Sequence, residues 1–127
     1  MYETFYAQLP AGSFTWSAPV TVSLVDATES DFPNVGVDNA GNVTVRWADM
    51  LRDASGNITE YRGYWVNTST DNGLTWSDAN VELVTDAGER VYGAMCVDPQ
   101  SGDVYLVDND PDVDTADDYD DIIVYYY

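Results

Sequence analysis

The sequence predicts an all-β fold, and three observations carry that expectation. No segment of the 127-residue chain offers an amphipathic helix of useful length. Its β-rich runs are short and bounded by turn tetrapeptides. The chain also repeats itself with a period of about sixty residues. Antiparallel four-stranded blades of a β-propeller suit such a period, with two repeats and a partial N-terminal blade. A sandwich of nine short strands is the alternative.

The repeat rests on particular residues. Thr15-Trp16-Ser17 returns as Thr75-Trp76-Ser77, and Asp38 returns as Asp98. The stretch Val35–Val45 parallels Met95–Leu106 with one residue inserted in the second turn, so that Gly41 pairs with Gly102 and Val43 with Val104. Gly63–Val66 matches Ile122–Tyr125 in apolar character, and Thr4–Ala7 is an earlier version of the same strand. The units run approximately 1–31 (a partial blade), 32–90 and 91–127 (a blade lacking its last strand), within a single segment spanning 1–127.

Taken in order, strands are expected near 3–8, 18–25 and 33–38, the last ending at the turn Asn39-Ala40-Gly41-Asn42. The partner strand follows at 42–48, and Ala48–Asp53 is expected to make at most one helical turn. A strand at 61–67 leads to Asp71-Asn72-Gly73, where glycine supplies the positive φ of a tight turn. Strands at 80–85 and 91–97 precede the turn Pro99-Gln100-Ser101-Gly102, and strands at 103–108 and 121–127 complete the set. In the segment where Tyr92, Ala94 and Cys96 alternate with Gly93, Met95 and Val97, the lone Cys96 is expected to be a small core residue.

Composition narrows the function. Twenty-three acidic side chains face four arginines, with no lysine and no histidine, for a net charge of −19. Such a chain repels a phosphate backbone, so nucleic acid is excluded as a partner, as is docking on an anionic membrane. Histidine-based dyads, histidine-ligated zinc, Schiff bases and phosphate-loop lysines all lack their residues. No zinc, haem or nucleotide is expected. An apolar share of 45% is too high for a disordered acidic tail, and no run approaches the ~18 apolar residues of a membrane span. The N-terminus has no signal-peptide pattern. The excess of aspartate fits an extracellular protein bathed in divalent cations, a halophile's protein, or plain solubility.

Ser69-Thr70-Asp71-Asn72-Gly73-Leu74-Thr75-Trp76 fits Ser-x-Asp-x-Gly-x-Thr-Trp at every fixed position. This resembles the Asp box of the sialidase (bacterial neuraminidase) repeat family. The copy at Pro10–Trp16 keeps Thr15 and Trp16 but lacks the aspartate and has its glycine displaced. The resemblance implies a propeller in which the box, Ser69, Asp71, Gly73, Thr75 and Trp76, joins the third and fourth strands of a blade as a folding device. Family catalysis implies an arginine triad, a tyrosine–glutamate pair and an acid–base aspartate. No Phe/Tyr-Arg-Ile-Pro motif is present, and no motif maps Arg46, Arg52, Arg62 or Arg90 onto the triad. Solvated or locally paired arginines are the expectation, and catalytic residues are not assigned.

Aspartates crowd the run Asp108–Asp121. Asp110, Asp112, Asp114, Asp118 and Asp121 stand at positions 1, 3, 5, 9 and 12 of an EF-hand-like loop, with the Ala116 carbonyl at 7. Hard oxygens so spaced converge on one calcium ion, and a solvated acidic loop is the alternative. Thr115 replaces the turn glycine and Asp121 the bidentate glutamate. Asn42, Asn57 and Asn67 each begin an N-glycosylation pattern. Trp47, Tyr64, Trp65 and Tyr125–Tyr127 suit packing between blades or stacking on sugars.

Propellers close with roughly four to eight blades, and a last unit short of a strand leaves an edge that invites another chain. Three copies forming six blades, an open filament, and a piece of a longer propeller are the arrangements to separate. The expected function is a non-catalytic module, extracellular or at the cell surface, that self-associates in a structural or binding role. A glycan-binding, lectin-like propeller is the alternative, and a sialidase-like glycoside hydrolase the second.

Overall fold

The computed structural model describes residues 2–77, 81–84, 93–110 and 121–126, of which 81–84, 108–110 and 121–126 are described by their backbone alone. It is all-β, with no helix among the described residues. Nine strands follow in order: β1 (Phe5–Tyr6), β2 (Val20–Thr21), β3 (Glu29–Val37), β4 (Val43–Arg52), β5 (Ile58–Ser69), β6 (Val81–Val84), β7 (Ala94–Val97), β8 (Val104–Asp110) and β9 (Asp121–Tyr126). They form three antiparallel sheets, β1–β2, β3–β4–β5–β6 and β7–β8–β9, each in simple up-and-down order.

The central sheet departs from the expected boundaries at β4. Ala48–Asp53 makes no helical turn: strand continues to Arg52 and pairs on to Ile58. Burial decides this. Every residue from Val43 to Met50 is buried, so both faces of β4 are covered and extended backbone is kept as far as apolar contact lasts. On one face Val22, Val45 and Trp47 pack with Tyr6, Trp65 and Trp76; a second cluster joins Ala48, Met50 and Tyr64 to Phe32, Ile58 and Tyr61. Register breaks where the sequence forces it. Pro33 has no N–H to give, and the β3–β4 ladder shifts between Asp31 and Asn34. There Phe32 sits at φ 53°, its amide held at 2.8 Å by the Asp31 carboxylate.

The N-terminal segment stitches the first sheet to the second. The Thr4 carbonyl accepts from the Val22 amide and the Tyr2 carbonyl from the Ser30 amide, each at 2.9 Å. On the other side β7 packs against β3. Gly36 makes that approach possible, since a Cβ there would run into Val97 Cγ2 and lie 3.0 Å from Val97 Cβ. Gly36→Ala is expected to cost about 1–3 kcal/mol, read as a lowered denaturation midpoint at unchanged slope. This same register turns Met95 and Val97 toward β3 and leaves Cys96 exposed. Cys96 is therefore not a core residue, because the inward set of that alternation is Met95 and Val97.

Candidate functional site

The two ends of the central sheet are built differently. At one end lie the hairpin turns β3–β4 and β7–β8 and the turn following β5. Asp38 Oδ1 accepts from the amides of Ala40 and Asn42 at 2.9 and 2.8 Å. Sixty residues on, Asp98 Oδ1 accepts from the amides of Gln100 and Ser101 at 2.7 and 3.0 Å. The turns also touch, through the Asn39 amide donating to the Pro99 carbonyl at 2.7 Å. Asp53 builds a third such turn at the opposite end, accepting from the amides of Ser55 and Asn57 at 2.8 and 3.0 Å. Sequence reasoning passed over it, although Asp53-Ala54-Ser55-Gly56-Asn57 repeats the Asp-x-x-Gly-Asn spacing of Asp38–Asn42.

Ser69, Asp71, Gly73, Thr75 and Trp76, the residues expected to form an Asp box, lie together at the end of β5 and in the turn after it. Asp71 Oδ1 accepts from the Thr75 amide at 2.8 Å, the Leu74 amide at 3.1 Å and the Ser69 hydroxyl at 2.7 Å; Thr75 Oγ1 donates to Oδ2 at 2.5 Å. The Gly73 amide donates to Ser69 Oγ at 2.9 Å. Trp76 meets Tyr6 edge-on, with ring centroids 5.1 Å apart. The Thr75 hydroxyl and amide, then Ser69, hold the Asp71 carboxyl down to about 2. A lowered folded-state value means stability present above the unfolded value of 3.8 and lost as pH falls toward 2. The thermal midpoint of the wild type is accordingly expected to exceed that of Asp71→Asn at neutral pH, with the gap closing across that acid window.

At the other end a cleft of about 350 Å³ opens between the loop before β3 and the strands β4 and β5, lined by Asp26, Thr28, Asp49, Glu60, Tyr61, Arg62 and Trp65. Asp49 is its buried carboxyl, 8% exposed, on the face of β4 that carries Val45 and Trp47. Its Oδ2 lies 2.7 Å from the Thr28 hydroxyl and its Oδ1 accepts from the Ser30 hydroxyl at 3.0 Å. Burial pushes the Asp49 carboxyl above its ordinary value; the Thr28 and Ser30 hydroxyls oppose this, Asp26 adds to it and Arg62 opposes it. Arg62 and Glu60 pair at 3.1 Å. A buried carboxyl, an ion pair and the rings of Tyr61 and Trp65 give the cleft hydrogen-bonding capacity and an apolar surface. A scan of protein-family models, a search of curated proteins and a search of solved structures each find no match to this chain.

The remaining expected site residues divide. Asp110 and Asp121 are opposite partners closing the β8–β9 pair, whereas Asp112, Asp114, Ala116 and Asp118 lie outside the described residues, as does Arg90. Among the described residues no group of three or more acidic or cysteine side chains is arranged to hold a metal. Arg46 is not solvated: it is fully buried, its guanidinium 3.8 Å over the Tyr64 ring, with Nη1 donating to the Phe32 carbonyl at 3.2 Å. Local pairing holds for Arg52, which reaches Glu29 at 2.8 Å and Asp31 at 3.2 Å. Arg46 is enclosed, and Arg52 and Arg62 line different clefts. The sequon asparagines are already engaged. Asn67 is buried and donates to the carbonyls of Val22 and Ser77, while Asn42 and Asn57 donate to Asp38 and Asp53. Of the aromatics, Trp47 and Tyr64 are buried packing residues and Trp65 borders the cleft.

Proposed function

We propose that this chain is a non-catalytic, extracellular β-propeller module that self-associates through its open sheet edges, in a structural or binding role. The observation that carries the reading is the central sheet: four antiparallel strands in chain order, packed against β1–β2 through Tyr6 and Trp76 and against β7–β9 through Gly36. Blades of a propeller stack in this face-to-face way. By the repeat, β1 and β2 occupy the third and fourth places of a blade, and β7, β8 and β9 the first three. Strand β9 is thus an edge with no fourth strand among the described residues. Such an edge is a template for pairing with another chain.

Strand order also separates the possible assemblies. Because β1 and β9 hold equivalent places, a closed ring of three copies needs β9 of one copy to replace β1 beside β2 of the next. Edge-to-edge addition without that exchange gives a filament. Calcium at Asp110, Asp112, Asp114, Ala116, Asp118 and Asp121 would favour either arrangement, since the register sets Asp110 directly opposite Asp121 and like charges so placed repel. Light scattering in calcium and then in chelator tests the reading. A discrete trimer supports the ring and large polydisperse species the filament, whereas a monomer of 14.0 kDa indifferent to calcium contradicts self-association and metal alike.

A second reading, glycan binding, is favoured by the cleft, where Trp65 and Tyr61 stand beside Asp26, Glu60 and Arg62. Saturable binding on a glycan array, lost in Trp65→Ala, is its signature. Hydrolysis of the sialidase type finds less support in three arginines held in separate surroundings, and turnover of a fluorogenic sialoside would restore it.

A further inference from the structure

We propose that Asp49 and Asp26 share one proton through the Thr28 hydroxyl, so that the loop before β3 is clamped to β4 only while Asp49 is protonated. Thr28 Oγ1 lies 2.6 Å from Asp26 Oδ1 and 2.7 Å from Asp49 Oδ2. Oxygens at such separations need a hydrogen between them, and a threonine hydroxyl supplies one. With both carboxyls ionised, one of the two contacts would press lone pair against lone pair.

A second proton completes the chain. Asp49 Oδ2–H donates to Thr28 Oγ1, whose own hydrogen goes to Asp26 Oδ1. The Thr28 amide donates to the same Asp26 oxygen at 2.7 Å, which suits an ionised carboxylate. Ser30 Oγ donates to Asp49 Oδ1, the carbonyl oxygen of the protonated acid. Surroundings place the proton on Asp49 and not on Asp26, because Asp49 is buried and Asp26 is exposed. The groups facing Asp49 are Asp26 from the loop, and Glu60, Tyr61 and Arg62 from β5; from β3 it meets the neutral hydroxyl of Ser30, while Glu29 is turned to Arg52. Burial is the largest influence on Asp49 and opposes its ionisation, as Asp26 does; a Thr28 hydroxyl donating to Asp49 would favour ionisation, as the Ser30 hydroxyl and Arg62 do, and burial outweighs them.

The clamp fixes one wall of the cleft, so the cleft inherits its pH dependence. A carboxyl whose folded-state value is raised stabilises the fold fully below its unfolded value of 3.8, and that stabilisation is lost as pH rises through the folded value. Asp49→Asn imitates the protonated acid permanently: its amide donates to Thr28 Oγ1 and its oxygen accepts from Ser30.

The test is a side-chain carboxyl carbon NMR titration of the wild type and of Thr28→Val, with thermal midpoints of the wild type and Asp49→Asn over the same pH range. Asp49 is expected to titrate above 3.8 in the wild type. Its value is expected to fall in Thr28→Val, which removes the hydroxyl that accepts from the protonated acid. The midpoint of Asp49→Asn is expected to gain on the wild type as pH rises through the step. An Asp49 carbon titrating at or below 3.8, or one whose value does not fall in Thr28→Val, overturns the proposal. The NMR titration of the wild type decides the matter even where a variant fails to fold, and it is independent of the assembly state.

Discussion

Replacing Trp47 by alanine is expected to cost about 3–5 kcal/mol, the range for emptying a large aromatic from a packed core. Trp47 is 1% exposed and pairs in register with Trp65 across β4–β5. It packs in the cluster where Val22, just after β2, and Tyr6 of β1 meet Val45 of the second sheet, with Trp65 and Trp76 against it. Removing it therefore loosens the joint between two sheets and not one sheet alone. Against a typical domain stability of about 5–15 kcal/mol, the loss takes a large share of the total. Chemical denaturation would show it as a lowered midpoint. Val37→Ala is the control: Val37 is 53% exposed, and a change of no more than about 0.5 kcal/mol is expected there.

Gly73→Ala is expected to destabilise by about 2–4 kcal/mol for two reasons that act together. Gly73 holds φ +80°, a region that costs an L-residue about 1–3 kcal/mol. A Cβ would also collide with the Tyr6 ring, at 2.8 Å from Cζ and from the hydroxyl. Tyr6 cannot step aside freely, because it is packed edge-on against Trp76. The Gly73 amide also supports Ser69, so the damage reaches the hydrogen bonds around Asp71. Thermal unfolding is the measure, and a midpoint within a degree of wild type would show that neither the turn nor the Tyr6 contact matters.

Period-two alternation and turn chemistry made the order of strands legible in the sequence, because both act within a few residues. The hairpins at Asn39–Asn42 and Pro99–Gly102 fall where the sequence places them, and Asp38 and Asp98 each cap one through two turn amides. What escaped depends on contacts between distant segments. The extension of β4 through Met50 rests on burial against Tyr64 and Phe32. Arg46 occupies an ordinary strand position, and it is buried with the Phe32 carbonyl and the Tyr64 ring against its guanidinium. The exposure of Cys96 follows from which face of β7 meets Gly36, and alternation alone does not choose a face. The cleft was the least legible feature. Asp49 meets Thr28 and Ser30 across 21 and 19 residues, although the run Val43, Val45, Trp47, Asp49 does place that carboxyl on an apolar face.

Hydrogen exchange of the segments 2–9 and 121–126, followed from dilute to concentrated protein, is the most direct test of the central claim that open sheet edges pair with another copy. Exchange in 121–126 is expected to slow with concentration; exchange in 2–9 is expected to slow with it in a filament and to quicken in a ring where β9 displaces β1, while β4, already paired on both sides, keeps its protection. Identical exchange at every concentration, with a mass that stays at 14.0 kDa, would contradict it.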